Sequence, residues 1–254
     1  MESIANGELS KEHVPPRSVG GKVLLLTCSR CNNTSGSKFD SHAAGRARLM
    51  RFLEGQGESD ATLTGEDFTV SGVVRRFEQG FVMEGASTRS NPTDWEAHLI
   101  ALDAGMFPEN FKLSLRGHRA DRAKAITSYT RSAYLAAFSA FGWSYILRTV
   151  LDPIRDALNH DAVAPPICAQ EPDASDDRRD IMIVTDPSEF CSVRVGVGEY
   201  TVFLPDFDPS LSCGDLADAL AAQMASGSGA AMTFHGSVVP WPAKPLYSAD
   251  PPCD

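Results

Sequence analysis

No apolar run in this chain approaches the roughly 20 residues that a membrane-spanning helix requires. The first residues, Met1 to Glu8, lack the basic head and apolar core of a secretory leader, so a cytoplasmic protein is expected. No internal repeat is evident. Cysteine is sparse and scattered: of Cys28, Cys31, Cys168, Cys191, Cys213 and Cys253, only the first two stand at a metal-ligand spacing. In a cytosolic chain such a pair is more often metal-binding or redox-active than a structural disulfide. The other four are most simply small buried apolar residues. What remains is an ordinary globular composition, 43% hydrophobic and 22% charged over 254 residues, enough for a sizeable core in one or two domains.

Positive charge is short overall, since the net charge of −10 argues against a polyanionic partner. It is also unevenly spread. Residues 11–51 carry eight Lys or Arg against two acids, leaving a balance of −16 on the rest of the chain. A basic segment tied to an acidic body is compatible with phosphate contact by that segment alone. The plainer reading of Arg46, Arg48 and Arg51 is a solvated helix face.

Val14 to Thr27 reads as two short strands around the Gly20-Gly21 turn. From Asn32 to Glu54 the pattern turns helical, with Phe39, Ala43, Ala47, Met50 and Leu53 recurring at three- and four-residue steps. Asp67 to Phe77 and Gly80 to Glu84 suggest a hairpin, and Phe111 to Arg116 a further strand. A short helix is expected to Asp103, capped by Thr93 or Asp94. Residues 119–158 hold the longest helical signal, with Gly142 and Pro153 dividing it. The Pro- and Asp-rich stretch 162–179 reads as a linker. Beyond it come three strands, a helix from Cys213 to Ala225, and a last strand from Thr233 to Val239. These readings give an α+β protein with segments 1–58, 59–161, 162–179 and 180–254.

Chemistry concentrates near the start. Glu12-His13 is followed by Pro15-Pro16, Gly20-Gly21-Lys22, then Cys28-Ser29-Arg30-Cys31-Asn32, Gly36 and Asp40. A histidine titrating near neutrality suits a general base, and oxygen ligands suit a hard divalent cation. Successive strand residues face opposite ways, so Glu12 and His13 can share one site only across a bend or bulge. On a regular helix Asn32, Gly36 and Asp40 would share one face.

In order and spacing these residues resemble the HNH endonuclease family, in its Glu-His, Gly-Gly, Cys-x-x-Cys-Asn branch, over about residues 9–54. The resemblance implies an N-terminal ββα-metal module, followed by a mixed helix and antiparallel-strand region. It implies hydrolysis of phosphodiester bonds in DNA, with RNA as the alternative to DNA, using magnesium or manganese. By the same resemblance His13 is the base, while Glu12 and Asn32 are metal ligands. Asp40 binds metal or orients His13; the two roles stand level. Many members of the branch hold a structural zinc with two Cys-x-x-Cys pairs; here only Cys28 and Cys31 are present, an incomplete knuckle. The Asn that often precedes the first Cys also has no counterpart in Val23 to Thr27.

Arg17, Lys22, Arg30 and Lys38 are the candidate nucleic-acid contacts, and His42 a spare site residue. A second basic cluster, Lys112 to Arg131, is read as helix surface ahead of a phosphate-binding face. The rival function is a non-catalytic nucleic-acid-binding or protein-interaction protein on a decayed HNH scaffold.

Overall fold

The computed structural model describes residues 9–78, 80–105, 110–115, 121–160, 162–171, 173–207, 210–226 and 233–243. By contacts the chain divides into two units, residues 1–44 with 121–254, and residues 45–120. The fold is α+β, with helices beside antiparallel sheets. No helix among the described residues is long and apolar enough to cross a membrane.

The first unit opens with two antiparallel strands, β1 (Leu9–Val14) and β2 (Lys22–Cys28). Their connection needs both glycines of the predicted turn. Gly20 takes φ +82°, and a Cβ on Gly21 would fall 1.5 Å from the Pro15 carbonyl oxygen. Helix α1 (Ser29–Ser35) follows directly. It runs through a π-helical turn, Gly36–Asp40, into α2 (Ser41–Leu53), whose first turn belongs to this unit and the rest to the other.

Helix α4 (Arg122–Phe141) is the spine of the same unit. Asp121 caps it, its carboxylate accepting from the backbone N–H groups of Ala123 and Lys124. Residues 127–133 are all buried, which the small side chains Thr127, Ser128, Thr130, Ser132 and Ala133 permit. One side of α4 meets β1, β2 and the π turn; the other meets a five-stranded sheet. Gly142, at φ +74°, ends α4 ahead of α5 (Trp143–Ile146). Pro153 sits in the first turn of α6 (Asp152–His160), where a missing N–H costs nothing.

The sheet has the order β11-β8-β9-β10-β7, from β7 (Cys168–Gln170), β8 (Arg179–Asp186), β9 (Ser192–Val197), β10 (Tyr200–Pro205) and β11 (His235–Val239). Part of the stretch read as a linker is therefore sheet, because Cys168–Gln170 pairs with β10 and Ile167 is fully buried. Helix α7 (Cys213–Ala225) starts with a capping box of Ser212 and Asp215. One hydrophobic cluster joins Val14, Leu24, Leu25 and Ala43 to Tyr129, Tyr145, Val195 and Leu204. The first forty residues thus share their core with elements more than a hundred residues away.

The second unit is a four-stranded antiparallel sheet in the order β5-β4-β3-β6, with α3 (Pro92–Asp103) against it. Its strands are β3 (Glu58–Thr64), β4 (Thr69–Phe77), β5 (Gly80–Gly85) and β6 (Lys112–Leu115). The expected hairpin is β4–β5; β3, which the sequence pattern did not suggest, pairs with β4 and β6. Asn91, rather than Thr93 or Asp94, caps α3, with Pro92 at its first position.

Candidate functional site

Glu12 lies on the inner face of β1 and is 2% exposed. Its Oε1 accepts from Arg131 Nη1 at 3.0 Å and its Oε2 from Arg131 Nη2 at 2.6 Å, a two-point ion pair. The Thr27 hydroxyl donates to the same Oε2 at 2.9 Å. Asp40, at the end of the π turn, accepts from the Ser128 hydroxyl at 2.7 Å, and its Oδ2 is 3.8 Å from Arg131 Nη1. Burial raises the Asp40 pKa, the Glu12 charge adds to the rise, and Ser128 and Arg131 offset only part of it. One guanidinium therefore serves two carboxylates inside the protein.

Asn32 comes to the same strand from α1. Its amide nitrogen donates to Ser10 Oγ at 2.9 Å and to the Lys11 carbonyl at 3.2 Å. Ser10 and Glu12 are two apart on β1, so this contact puts the amide on the Glu12 face. The amide oxygen accepts no hydrogen bond among the described residues.

His13 is half-buried, and its ring makes no hydrogen bond among the described residues. A register irregularity does fall between Glu12 and His13. The unpaired residue is Leu24 on β2, however, since Glu12 pairs with Leu25 and His13 with Val23. That explains why neighbouring Leu24 and Leu25 are both buried. β1 keeps its alternation, with Glu12 and Val14 inward and His13 turned the other way.

The π turn also changes the expected helix face. Its wider winding breaks the four-residue step between Asn32 and Asp40. Asp40 points to Ser128 and Arg131, whereas Asn32 points to Ser10. A Cβ on Gly36 would meet nothing within 4 Å. His42 has a structural task, its Nδ1 accepting from the backbone N–H of Asp121 at 3.0 Å just before α4.

Cys28 and Cys31 form no disulfide and are joined by a hydrogen bond, Cys31 exposed and Cys28 half-buried. That bond, then burial, raises the Cys31 pKa. Burial pushes the Cys168 thiol to about 12 and the Cys213 thiol to about 11, as expected for inert apolar residues. Arg17, Lys22, Arg30 and Lys38 are all exposed.

Among the described residues no three His, Cys, Asp or Glu side chains group so as to hold a metal ion. In kind, two carboxylates and an unclaimed amide oxygen suit a hard cation. In their present bonding both Glu12 oxygens are committed to Arg131, so the set fits such an ion only once that pair opens.

Arg131 is the residue that sequence reasoning placed wrongly, on a helix surface. The available signal was a lone cation within Ser128-Tyr129-Thr130-Arg131-Ser132-Ala133, a run of small and aromatic residues suited to burial. Arg116, His118 and Arg119 of the same basic cluster lie outside the described residues.

Among its described residues the second unit has no buried ion pair of this kind. Its cavity of about 290 Å³ is lined by apolar side chains and His98, whose pKa burial lowers. Comparison with family models, curated proteins and solved structures gives no match to this chain in any of the three.

Proposed function

We propose that the chain is an HNH-like endonuclease, its ββα-metal module formed by β1, β2 and the α1–α2 helix. The observation that carries the reading is the seating of Asn32 on the strand of Glu12 and His13, at 2.9 Å from Ser10 Oγ. An Asn just after a Cys-x-x-Cys pair is a weak signal alone. Its return to the Glu-His strand brings Asn32 onto the Glu12 face, while His13 faces the other way.

In this reading Glu12 and Asn32 hold a magnesium or manganese ion, with Asp40 as their buried neighbour. The ion, when bound, neutralises phosphate charge and stabilises the departing oxygen. His13 takes the proton from the attacking water. Its freedom from other hydrogen bonds leaves a ring nitrogen for that task, and its half-exposed position lets water reach it. Exposed Arg17, Lys22, Arg30 and Lys38 attract the backbone phosphates of DNA, or of RNA. Cys28 and Cys31 form half of a structural zinc knuckle.

The test is nicking of supercoiled plasmid with magnesium or manganese, wild type beside His13→Ala. Loss of the base should lower the rate by about 10²- to 10⁴-fold. Equal rates in the two proteins would refute the role of His13. The commitment of Glu12 to Arg131 favours a second reading, a scaffold that binds nucleic acid without cutting it. Salt-sensitive DNA binding with no cleavage under any divalent ion would select that reading.

A further inference from the structure

We propose that Arg131 is the resident cation of the Glu12 site, and that a divalent ion reaches Glu12 only by displacing the guanidinium. The proposal rests on reading Glu12 as a metal ligand, and it concerns what must happen before an ion can bind.

Both Glu12 oxygens already accept from Arg131, at 3.0 and 2.6 Å, and Thr27 takes a further position on Oε2. The pair is enclosed, its side chains 9% and 2% exposed, so water screens it little. A divalent ion entering beside the guanidinium would set two cations within about 4 Å in a low-dielectric interior, which is strongly repulsive. Ion and guanidinium are therefore alternatives for one carboxylate. With Arg131 gone, Glu12 and Asp40 would be two buried carboxylates without a counter-charge, and a divalent ion would take its place. By linkage, whatever holds the pair together must weaken ion binding by the same factor.

The site also explains why the cation comes from α4. Ser128, Ser132 and Ala133 around it on α4 are buried and small, and α4 is in contact with β1. In the absence of an ion, Arg131 stabilises a buried carboxylate whose other hydrogen bond comes from the Thr27 hydroxyl alone.

The experiment titrates the full-length protein with manganese alone, following heat and thermal midpoint for wild type, Arg131→Met and the double variant Glu12→Gln/Arg131→Met. Arg131→Met should bind manganese about tenfold or more tightly than wild type, because no buried pair has to open. Its ion-free midpoint should be lower than wild type and should rise more on adding manganese. The double variant should lose the gain. Equal or weaker binding by Arg131→Met overturns the proposal, as does a gain that survives in the double variant.

Should Arg131→Met fail to fold, wild type alone decides. Slow exchange of the Arg131 guanidinium protons, followed by NMR, should be lost on saturation with magnesium, and persistence of slow exchange overturns the proposal. Plasmid nicking is scored separately, so a nuclease whose Arg131 never moves fails only this inference. Conversely, a tight-binding Arg131→Met variant of an inactive protein fails only the nuclease reading.

Discussion

Among the described residues of the first unit, the ionic cluster on the five-stranded sheet and the one at β1 differ in balance. On the five-stranded sheet Arg178 and Arg194 face Glu171 and Asp180, two cations for two carboxylates. The Thr201 hydroxyl donates to Glu171, and Arg178 also donates to the Tyr200 carbonyl. That cluster is balanced in charge and part-exposed, although Arg178 Nε, Arg194 Nε and Asp180 Oδ1 make no hydrogen bond among the described residues. At β1 a single guanidinium serves Glu12 and Asp40, deeper in the protein. Balanced charge on a sheet face is a structural device. A buried carboxylate pair that shares one guanidinium offers a divalent ion a place only in exchange for that guanidinium. Burial first, and the Glu12 charge after it, raise the Asp40 pKa, and Ser128 and Arg131 offset only part of the rise.

The comparison breaks most sharply at its arginines. Arg131→Ala leaves Glu12 buried and unpaired and should cost about 3–5 kcal/mol in urea denaturation. Arg194→Ala should cost about 1 kcal/mol, since its carboxylate partners are a third exposed and Arg178 remains beside them. Similar losses at the two positions would erase the distinction.

Acid separates the clusters next. Burial raises the Glu171 pKa, but the Thr201 hydroxyl and the guanidinium groups of Arg178 and Arg194 outweigh it, so the net shift is downward. A depressed carboxyl pKa contributes stability above the unfolded-state value, and loses it as the pH falls through the folded-state value. Glu171→Gln should therefore be less stable than wild type near neutrality, the gap closing between about pH 5 and pH 3. A gap that stays constant across that range would show that charge is not the cause. Asp40 shifts the opposite way, and its folded form gains relative stability as it takes up a proton.

The smallest effect concerns the thiols. Exposed Cys31 should react with iodoacetamide well before Cys168 and Cys213, whose pKa values are about 12 and 11. Peptide mass spectrometry of the native protein reads the order, and early labelling of Cys168 would contradict its raised pKa.

Much of the fold was legible because local chemistry governs it. Gly20-Gly21 announced the turn between β1 and β2, and the three strands read beyond residue 179 are β8, β9 and β10. The helix signal over 119–158 survived as α4, α5 and α6, with the break at Gly142 where expected. Cys168–Gln170 was missed because a three-residue strand carries almost no periodic signal, and Pro and Asp on either side suggest a loop. The π turn was hidden for a related reason: one wider winding leaves the apolar spacing of a helix nearly intact.

The candidate site divides the same way. Glu12, His13, Cys28, Cys31, Asn32 and Asp40 could be singled out from order and spacing within 29 residues. Sequence by itself fixed which chemical groups are available and which strands and helices carry them, because propensity, turns and caps act over a few residues. Tertiary structure alone decided that Arg131 of α4 neutralises Glu12, 119 positions away. That choice depends on how closely a helix of small side chains can approach a strand, and on the cost of leaving a buried carboxylate unpaired.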